Sequence, residues 1–198
     1  MSQQPAAPAD VKPAVVKVWD PLVRILHGGM IACVVVAWLI TEGRVHDGAG
    51  YTLLALIIVR IVWGFVGPER ARFANFIRAP LSVARYARLV LAGREPRHLG
   101  HNPLGGWMIL ALLATGAAVS VSGVVYTTDA FWGVEWVERI HVFLAELLLV
   151  LAAVHVAGVI FTSIRQRENL VAAMLHGKKR PLADRDAEHP ADSLGGPA

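Results

Sequence analysis

Four long apolar segments constrain the fold of this 198-residue chain more than any other feature. They run over about residues 22–41, 47–67, 103–128 and 140–164, and each has at least 20 residues. A bilayer core of about 30 Å is crossed by roughly 20 mainly apolar residues in helical form. Such spans must be helical, because an open strand would leave its backbone polar groups unpaired in lipid. We therefore predict an all-α fold, an integral membrane four-helix bundle.

Composition excludes several classes of protein. Apolar residues make up 55% of the chain and charged residues 17%, whereas soluble domains carry about 25% charged residues. The single cysteine, Cys33, excludes a disulfide framework, covalent haem attachment and a thiolate-held iron–sulfur cluster. The net charge of +4 does not indicate nucleic-acid binding, because the basic residues flank the apolar segments.

The distribution of lysine and arginine predicts the orientation in the membrane. Three lie before the first span or at its start, seven lie between the second and third spans, and six follow the fourth. The other two loops hold one each, Arg44 and Arg139. By the positive-inside tendency, the N and C termini and the long middle loop are cytoplasmic. We expect residues 17–180 to form the membrane domain, with disordered tails at 1–16 and 181–198.

Four histidines lie in or at the ends of the predicted spans, where a polar side chain is costly. His141 and His155 are fourteen residues apart, so they share one helix face about 21 Å apart in depth. The predicted topology places His27 near the inner surface and His46 near the outer surface. The histidines therefore form two layers, an inner pair of His27 with His155 and an outer pair of His46 with His141.

Two histidines at one depth could bind several groups or simply bond to a neighbouring helix. A structural zinc site needs four ligands, which neither layer supplies. A b-type haem needs two axial histidines and an apolar slot between helices, and both layers meet this requirement. Several glycines adjoin the histidines and could let a macrocycle approach the backbone, although small residues also serve helix packing alone. They are Gly28, Gly29, Gly48, Gly50 and Gly158.

Two charged residues interrupt the spans. Arg60 is fourteen residues from His46, so it shares that face and lies near the inner layer, where it could pair with a haem propionate. Alternatively, it could extend to the cytoplasmic surface. Glu146 could relay protons to a quinone, or it could be a buried neutral acid bonded to a neighbouring helix.

The motifs around these histidines resemble those of one family. RILHGGM, VHDGAGY, GHNPLGG, LAAVHVAG and ENLVAAMLHGKK occur in order over about residues 17–180. They are similar to the bacterial cytochrome b561 family, and most of all to its nickel–iron hydrogenase b-type cytochrome branch. The resemblance implies a four-helix membrane cytochrome with two b haems that exchanges electrons with the quinone pool. It also places the haem ligands at His27, His46, His141 and His155.

We therefore expect a di-haem electron carrier of the bacterial inner membrane. It would move electrons between quinone and an outer-face redox partner, such as a hydrogenase or a c-type cytochrome. A quinone-linked superoxide oxidase is an alternative, so an enzymatic role stays open. Acidic residues outnumber basic ones in the predicted outer loops, which argues against capture of an anion there. A haem-free membrane scaffold is the third possibility.

Overall fold

A computed structural model of the chain describes residues 16–94, 96 and 102–179. The predicted tails at 1–16 and 181–198 lie outside the described residues, except for Val16. The described part is mostly helical. Its helices are α1 (Pro21–Leu39), α2 (Gly43–Val66), α3 (Pro80–Leu91), α4 (Pro103–Tyr126), α5 (Glu135–Arg165) and α6 (Leu170–His176). Short 3-10 turns at Glu69–Ala71 and Phe73–Asn75 follow α2.

Four of these helices, α1, α2, α4 and α5, are long and apolar enough to cross a membrane, as predicted. In their most apolar 18-residue windows, between 6% and 22% of the residues are buried inside the protein. Most of their apolar side chains therefore face outward, where lipid rather than protein must cover them.

Capping residues explain where two of the spans begin. Asp20 accepts a hydrogen bond from the Val23 amide at 3.1 Å, and Asn102 accepts one from the Gly105 amide at 2.7 Å. A proline follows each cap in the first helical turn, where it has no amide hydrogen to leave unpaired. Each cap satisfies an amide that the helix itself cannot bond.

Two helices begin earlier than the apolar pattern predicts. α2 begins at Gly43 rather than near residue 47, so His46 lies inside its first turn. α5 begins at Glu135 rather than near residue 140. Glu135 and Glu138 occupy the first turn of α5, where negative charge interacts favourably with the helix dipole. Hydropathy marks where a helix enters lipid, and a helix can continue beyond that point.

The four spans contact one another as an arc. α1 packs on α2, α2 on α4, and α4 on α5. The buried core between them contains Leu53, Ile57 and Leu113, together with Phe73 and Phe76 from the 3-10 region. α4 lies close to its neighbours at two glycines: a Cβ on Gly116 would lie 2.9 Å from the Ile57 side chain, and one on Gly106 would lie 2.6 Å from the Phe76 carbonyl oxygen.

The first and last described segments pair with each other. β1 (Val16–Lys17) pairs antiparallel with β2 (Lys178–Lys179), and the amide of Val18 donates to the Gly177 carbonyl at 2.8 Å. Gly177 ends α6 in the left-handed conformation, with φ of 79°, which glycine adopts without steric cost. This contact holds the start of α1 against α6.

Candidate functional site

The predicted inner pair lies between the two ends of the helical arc. The ring centroids of His27 on α1 and His155 on α5 are 6.5 Å apart, with ring planes at 64°. Neither side chain forms a hydrogen bond with another described residue. These two imidazoles thus face each other across the seam between α1 and α5.

The predicted outer pair joins α2 to α5 in the same way. The ring centroids of His46 and His141 are 6.0 Å apart, with ring planes at 72°. Two imidazoles that bind opposite sides of one metal ion have centroids about 6 Å apart, since each metal–nitrogen bond is about 2 Å. Both pairs have the spacing that bis-histidine ligation of a haem iron requires. Ligation itself stays a prediction.

Backbone carbonyls fix the orientation of His46. Its Nδ1 lies 3.0 Å from the Ala37 carbonyl oxygen and 2.9 Å from that of Ile40. A carbonyl only accepts, so Nδ1 carries the hydrogen and donates it. The lone pair of the neutral ring is then on Nε2, which is the arrangement that a metal-binding histidine needs. The Nδ1–H group of His46 also provides a hydrogen bond for carbonyl groups at the end of α1, which have no amide partner within the helix.

A serine orients His141. The Ser122 hydroxyl lies 3.0 Å from Nδ1 of His141 and donates its hydrogen to the Val119 carbonyl at 2.8 Å. A hydroxyl has one hydrogen to donate, so Ser122 must accept from Nδ1 of His141. His141, like His46, therefore presents the Nε2 lone pair.

The glycines that adjoin the histidines differ in their surroundings. A Cβ on Gly28, Gly48, Gly50 or Gly158 would have no heavy atom within 4 Å. Gly50 and Gly158 follow His46 and His155 by four and three residues, so each shares the face of its histidine. This open space suits a large planar group beside the imidazoles. By contrast, Gly29 packs against Leu56, as an ordinary helix contact does.

Arg60 is buried at about the depth of the inner pair. Its side chain is 4% exposed, and its guanidinium carbon lies 4.9 Å from the centroid of the Phe73 ring. The contact of Leu56 with Gly29 places Arg60 about 3 Å beyond the level of His27, toward the predicted cytoplasmic end. Nη1 of Arg60 has no hydrogen-bond partner among the described residues.

The position of Arg60 bears on its two interpretations. A side chain that reaches the aqueous surface would be exposed, whereas this one is buried. The Asp20 carboxylate interacts electrostatically with Arg60, but Nη1 itself has no acceptor among the described residues, so a further anionic oxygen would be favourable at this point. A haem propionate as that anion stays a prediction.

The Glu146 side chain is exposed on the surface of α5, so the interpretation of a buried acid bonded to a neighbouring helix is wrong. It follows His141 by five residues, which turns it about 140° away around the helix. It lines a surface groove with Arg139, Val142 and Phe143 rather than the side that carries the histidines. Its predicted proton relay stays untested.

Sequence reasoning missed the groups that orient the outer pair. Ser122 lies in an uninterrupted apolar span, where a serine usually serves helix packing, and only its distance to His141 distinguishes it. The carbonyl groups of Ala37 and Ile40 carry no sequence signal.

The described residues contain no group of three or more histidine, cysteine, aspartate or glutamate side chains that could hold a metal ion, so paired histidines are the metal-binding arrangement that this region offers.

Comparison with known proteins identifies the family to which the chain belongs. The family model of prokaryotic cytochrome b561 matches residues 18–177. A "Probable Ni/Fe-hydrogenase B-type cytochrome subunit" of Azotobacter vinelandii is 25% identical over 167 residues, which cover 71% of this chain and 69% of the relative. A protein of the same description from Azotobacter chroococcum is 24% identical over 167 residues, with the same coverage. No solved structure matches the chain.

The matched region includes all four spans and both histidine pairs. It begins next to β1 and ends just after α6, so it covers nearly the whole described part of the chain. The chain therefore belongs to the prokaryotic cytochrome b561 family and is a multi-pass bacterial membrane protein, a b-type cytochrome of the electron-transfer class.

Proposed function

We propose that the chain binds two b haems and carries electrons across the bacterial inner membrane. His27 and His155 would hold the inner haem, and His46 and His141 the outer haem. The single observation that supports the proposal is that the four imidazoles form two pairs near opposite ends of one bundle. The ring centroids are 6.5 Å apart in the inner pair and 6.0 Å apart in the outer pair. One couple alone could be a helix contact, whereas two at matching spacing favour a repeated ligand site.

A bis-histidine haem b supplies a reversible one-electron redox couple when it is bound. The protein's own residues determine how that couple behaves. His46 and His141 each donate through Nδ1, which makes Nε2 a stronger ligand and holds the ring orientation. Arg60 supplies a buried positive charge for a carboxylate near the inner pair. If two histidines held each iron, they would leave no ligand position for a substrate, which favours electron transfer over bond-making chemistry.

The proposed partners are quinone in the bilayer and a redox protein at the outer face. The names of the relatives favour a nickel–iron hydrogenase as that protein, and a c-type cytochrome is the other candidate. The outer end of the bundle carries Asp129, Glu135 and Glu138, and the nearby Arg139 lies 3.4 Å from Glu135. An acidic surface of this kind would suit a partner with a basic docking face.

Single histidine substitutions test the number and pairing of haems. His27→Ala and His155→Ala should remove the same spectral component, and His46→Ala and His141→Ala the other one. The measurement is haem content by pyridine haemochrome assay, together with the reduced-minus-oxidised spectrum. His176→Ala is the matched control, because this histidine lies in α6, outside the spans. Loss of one component by both His27→Ala and His141→Ala would refute the pairing, and a full haem content in all four variants would refute the ligation.

A further inference from the structure

α5 carries two stripes of side chains on opposite sides of the helix. His141, Leu148 and His155 lie seven residues apart and form the stripe that faces the other helices. A second stripe repeats at alternating spacings of three and four residues, and all its members are exposed: Phe143, Glu146, Val150, Ala153, Ala157 and Ile160. Each residue turns a helix by about 100°, so positions two apart point in nearly opposite directions. This exposed stripe therefore faces away from the histidines.

The exposed stripe has little contact with the rest of the protein. In the most apolar window of α5, 6% of the residues are buried, compared with 17% to 22% in the other three spans. Among the described elements, α5 makes extensive contacts with α4 and α6 alone. One side of α5 is thus available for contact with lipid or with another protein.

Glu146 is the polar member of the exposed stripe. It lies seven residues, about 10 Å along the helix axis, from Arg139, which precedes the apolar part of α5. That distance is greater than a glutamate side chain can extend, so the carboxyl group lies within the hydrocarbon layer. Glu146 has no hydrogen-bond or ion-pair partner among the described residues. A carboxyl group that faces lipid at this depth is unfavourable, which favours its contact with another polar group.

Two small residues lie deeper on the same stripe. Ala153 and Ala157 are one turn apart, and small residues at this spacing let two membrane helices approach closely. Apolar surface alone does not drive association in a bilayer, because the lipid chains are equally apolar. Close packing at small residues and hydrogen bonds between polar side chains do drive it. The exposed stripe contains the residues for both interactions.

A second copy of the chain meets the requirement of Glu146. All copies have one orientation in the membrane, so two copies that pack through α5 have parallel helices related by a two-fold axis along the membrane normal. This axis places the two Glu146 side chains opposite each other at the same depth. A neutral carboxylic acid is both a donor and an acceptor, so it is complementary to itself. A helix of another protein would have to supply a matching group at this depth, whereas a second copy always does.

We propose that the chain forms a parallel homodimer in the membrane through the exposed stripe of α5. The two Glu146 carboxyl groups bond to each other across the two-fold axis, and Ala153 and Ala157 allow the two helices to approach closely. The histidine stripe stays inside each protomer, on the opposite side of α5. The interface therefore uses none of the proposed haem ligands and does not depend on haem binding.

The test measures Förster resonance energy transfer between full chains that carry a donor or an acceptor fluorescent protein at the C terminus. Both forms are reconstituted together into vesicles of phosphatidylcholine and phosphatidylglycerol at several protein-to-lipid ratios, which gives the dissociation constant of the dimer. Glu146→Leu removes the hydrogen bonds between protomers, whereas Glu146→Gln keeps a donor and an acceptor. Ala153→Leu/Ala157→Leu blocks close approach. Ala32→Leu/Ala114→Leu is its matched control, because these alanines are exposed on α1 and α4.

We expect wild type and Glu146→Gln to show equal energy transfer that falls as lipid is added. Glu146→Leu should raise the dissociation constant roughly tenfold, the order that a hydrogen bond between membrane helices contributes. Ala153→Leu/Ala157→Leu should raise it at least as much, and the variant on α1 and α4 should leave it unchanged. Circular dichroism reports whether each variant is folded, independently of its haem content.

Several results would overturn the proposal. If wild type is monomeric at every ratio, a helix of another subunit rather than a second copy covers Glu146. An unaltered dissociation constant in Glu146→Leu, or equal weakening in Glu146→Leu and Glu146→Gln, would refute the paired acids. Equal weakening in the two double variants would refute the assignment to α5. If Ala153→Leu/Ala157→Leu is not folded, the two Glu146 variants decide the question by the same criteria.

Discussion

Replacing Ser122 by alanine should raise the midpoint potential of the outer haem. In the structure, Nδ1 of His141 donates to the Ser122 hydroxyl at 3.0 Å. This hydrogen bond puts electron density on the imidazole, which stabilises the oxidised iron more than the reduced iron. Removing it therefore favours reduction.

The size of the effect follows from the single bond that is lost. A neutral hydrogen bond contributes about 0.5–1.5 kcal/mol, and here only its difference between the two redox states counts. If that difference is about 0.5–1 kcal/mol, the potential should rise by about 20–45 mV, because about 1.4 kcal/mol corresponds to 59 mV for one electron. The outer pair should also bind haem more weakly, by about tenfold for the loss of such a partner.

Potentiometric titration of the visible spectrum measures both haems in one sample, so the inner haem is an internal reference. Ser120→Ala is the matched control: Ser120 lies two residues away on α4, is 5% exposed, and its hydroxyl has no hydrogen-bond partner among the described residues. It should leave both potentials unchanged. A fall in the outer potential, or equal shifts in the two serine variants, would refute the reasoning.

Three further predictions concern the inner haem, the core and the class of function. Arg60→Leu should reduce retention of the inner haem or lower its midpoint potential, because a propionate would lose its buried cation. The same titration measures both effects. An unaltered haem content and potential would show that Arg60 is not part of the site. Gly64→Ala should destabilise the bundle by about 1–3 kcal/mol in thermal unfolding, because the added Cβ would collide with the Phe73 ring. Gly48→Ala in the same helix is the control, because its Cβ would meet no such neighbour. A carrier should react slowly with superoxide in stopped-flow mixing at any salt concentration, and near-diffusion-limited rates that rise at low salt would favour the oxidase.

The four spans and the histidine layers could be predicted because each depends on information local to one segment. Apolar length identifies a helix that crosses lipid, and 1.5 Å per residue converts the spacing of His141 and His155 into depth. The alternating direction of successive spans then predicts which histidines share a level, and the asymmetry of lysine and arginine predicts which level is cytoplasmic. None of these steps requires knowledge of how the helices pack.

Features that depend on packing could not be predicted in this way. Ser122 becomes a partner of His141 only because the packing of α4 against α5 turns the two side chains toward each other. Phe73 and Phe76 enter the core because the chain after α2 turns back on the bundle, which no periodicity in that segment indicates. The exposure of Glu146 could not be predicted either, because the direction of its side chain depends on where α5 contacts its neighbours.

The arc of helix contacts has a consequence for how this protein is assembled in the cell. Among the described helices, extensive contacts run from α1 through α2 and α4 to α5, and the seam between α1 and α5 is spanned by His27 and His155. If the proposed inner haem binds to these two histidines, it joins the two ends of the arc. Haem binding should then stabilise the assembled bundle, because a ligand that binds only the folded chain shifts the equilibrium toward it.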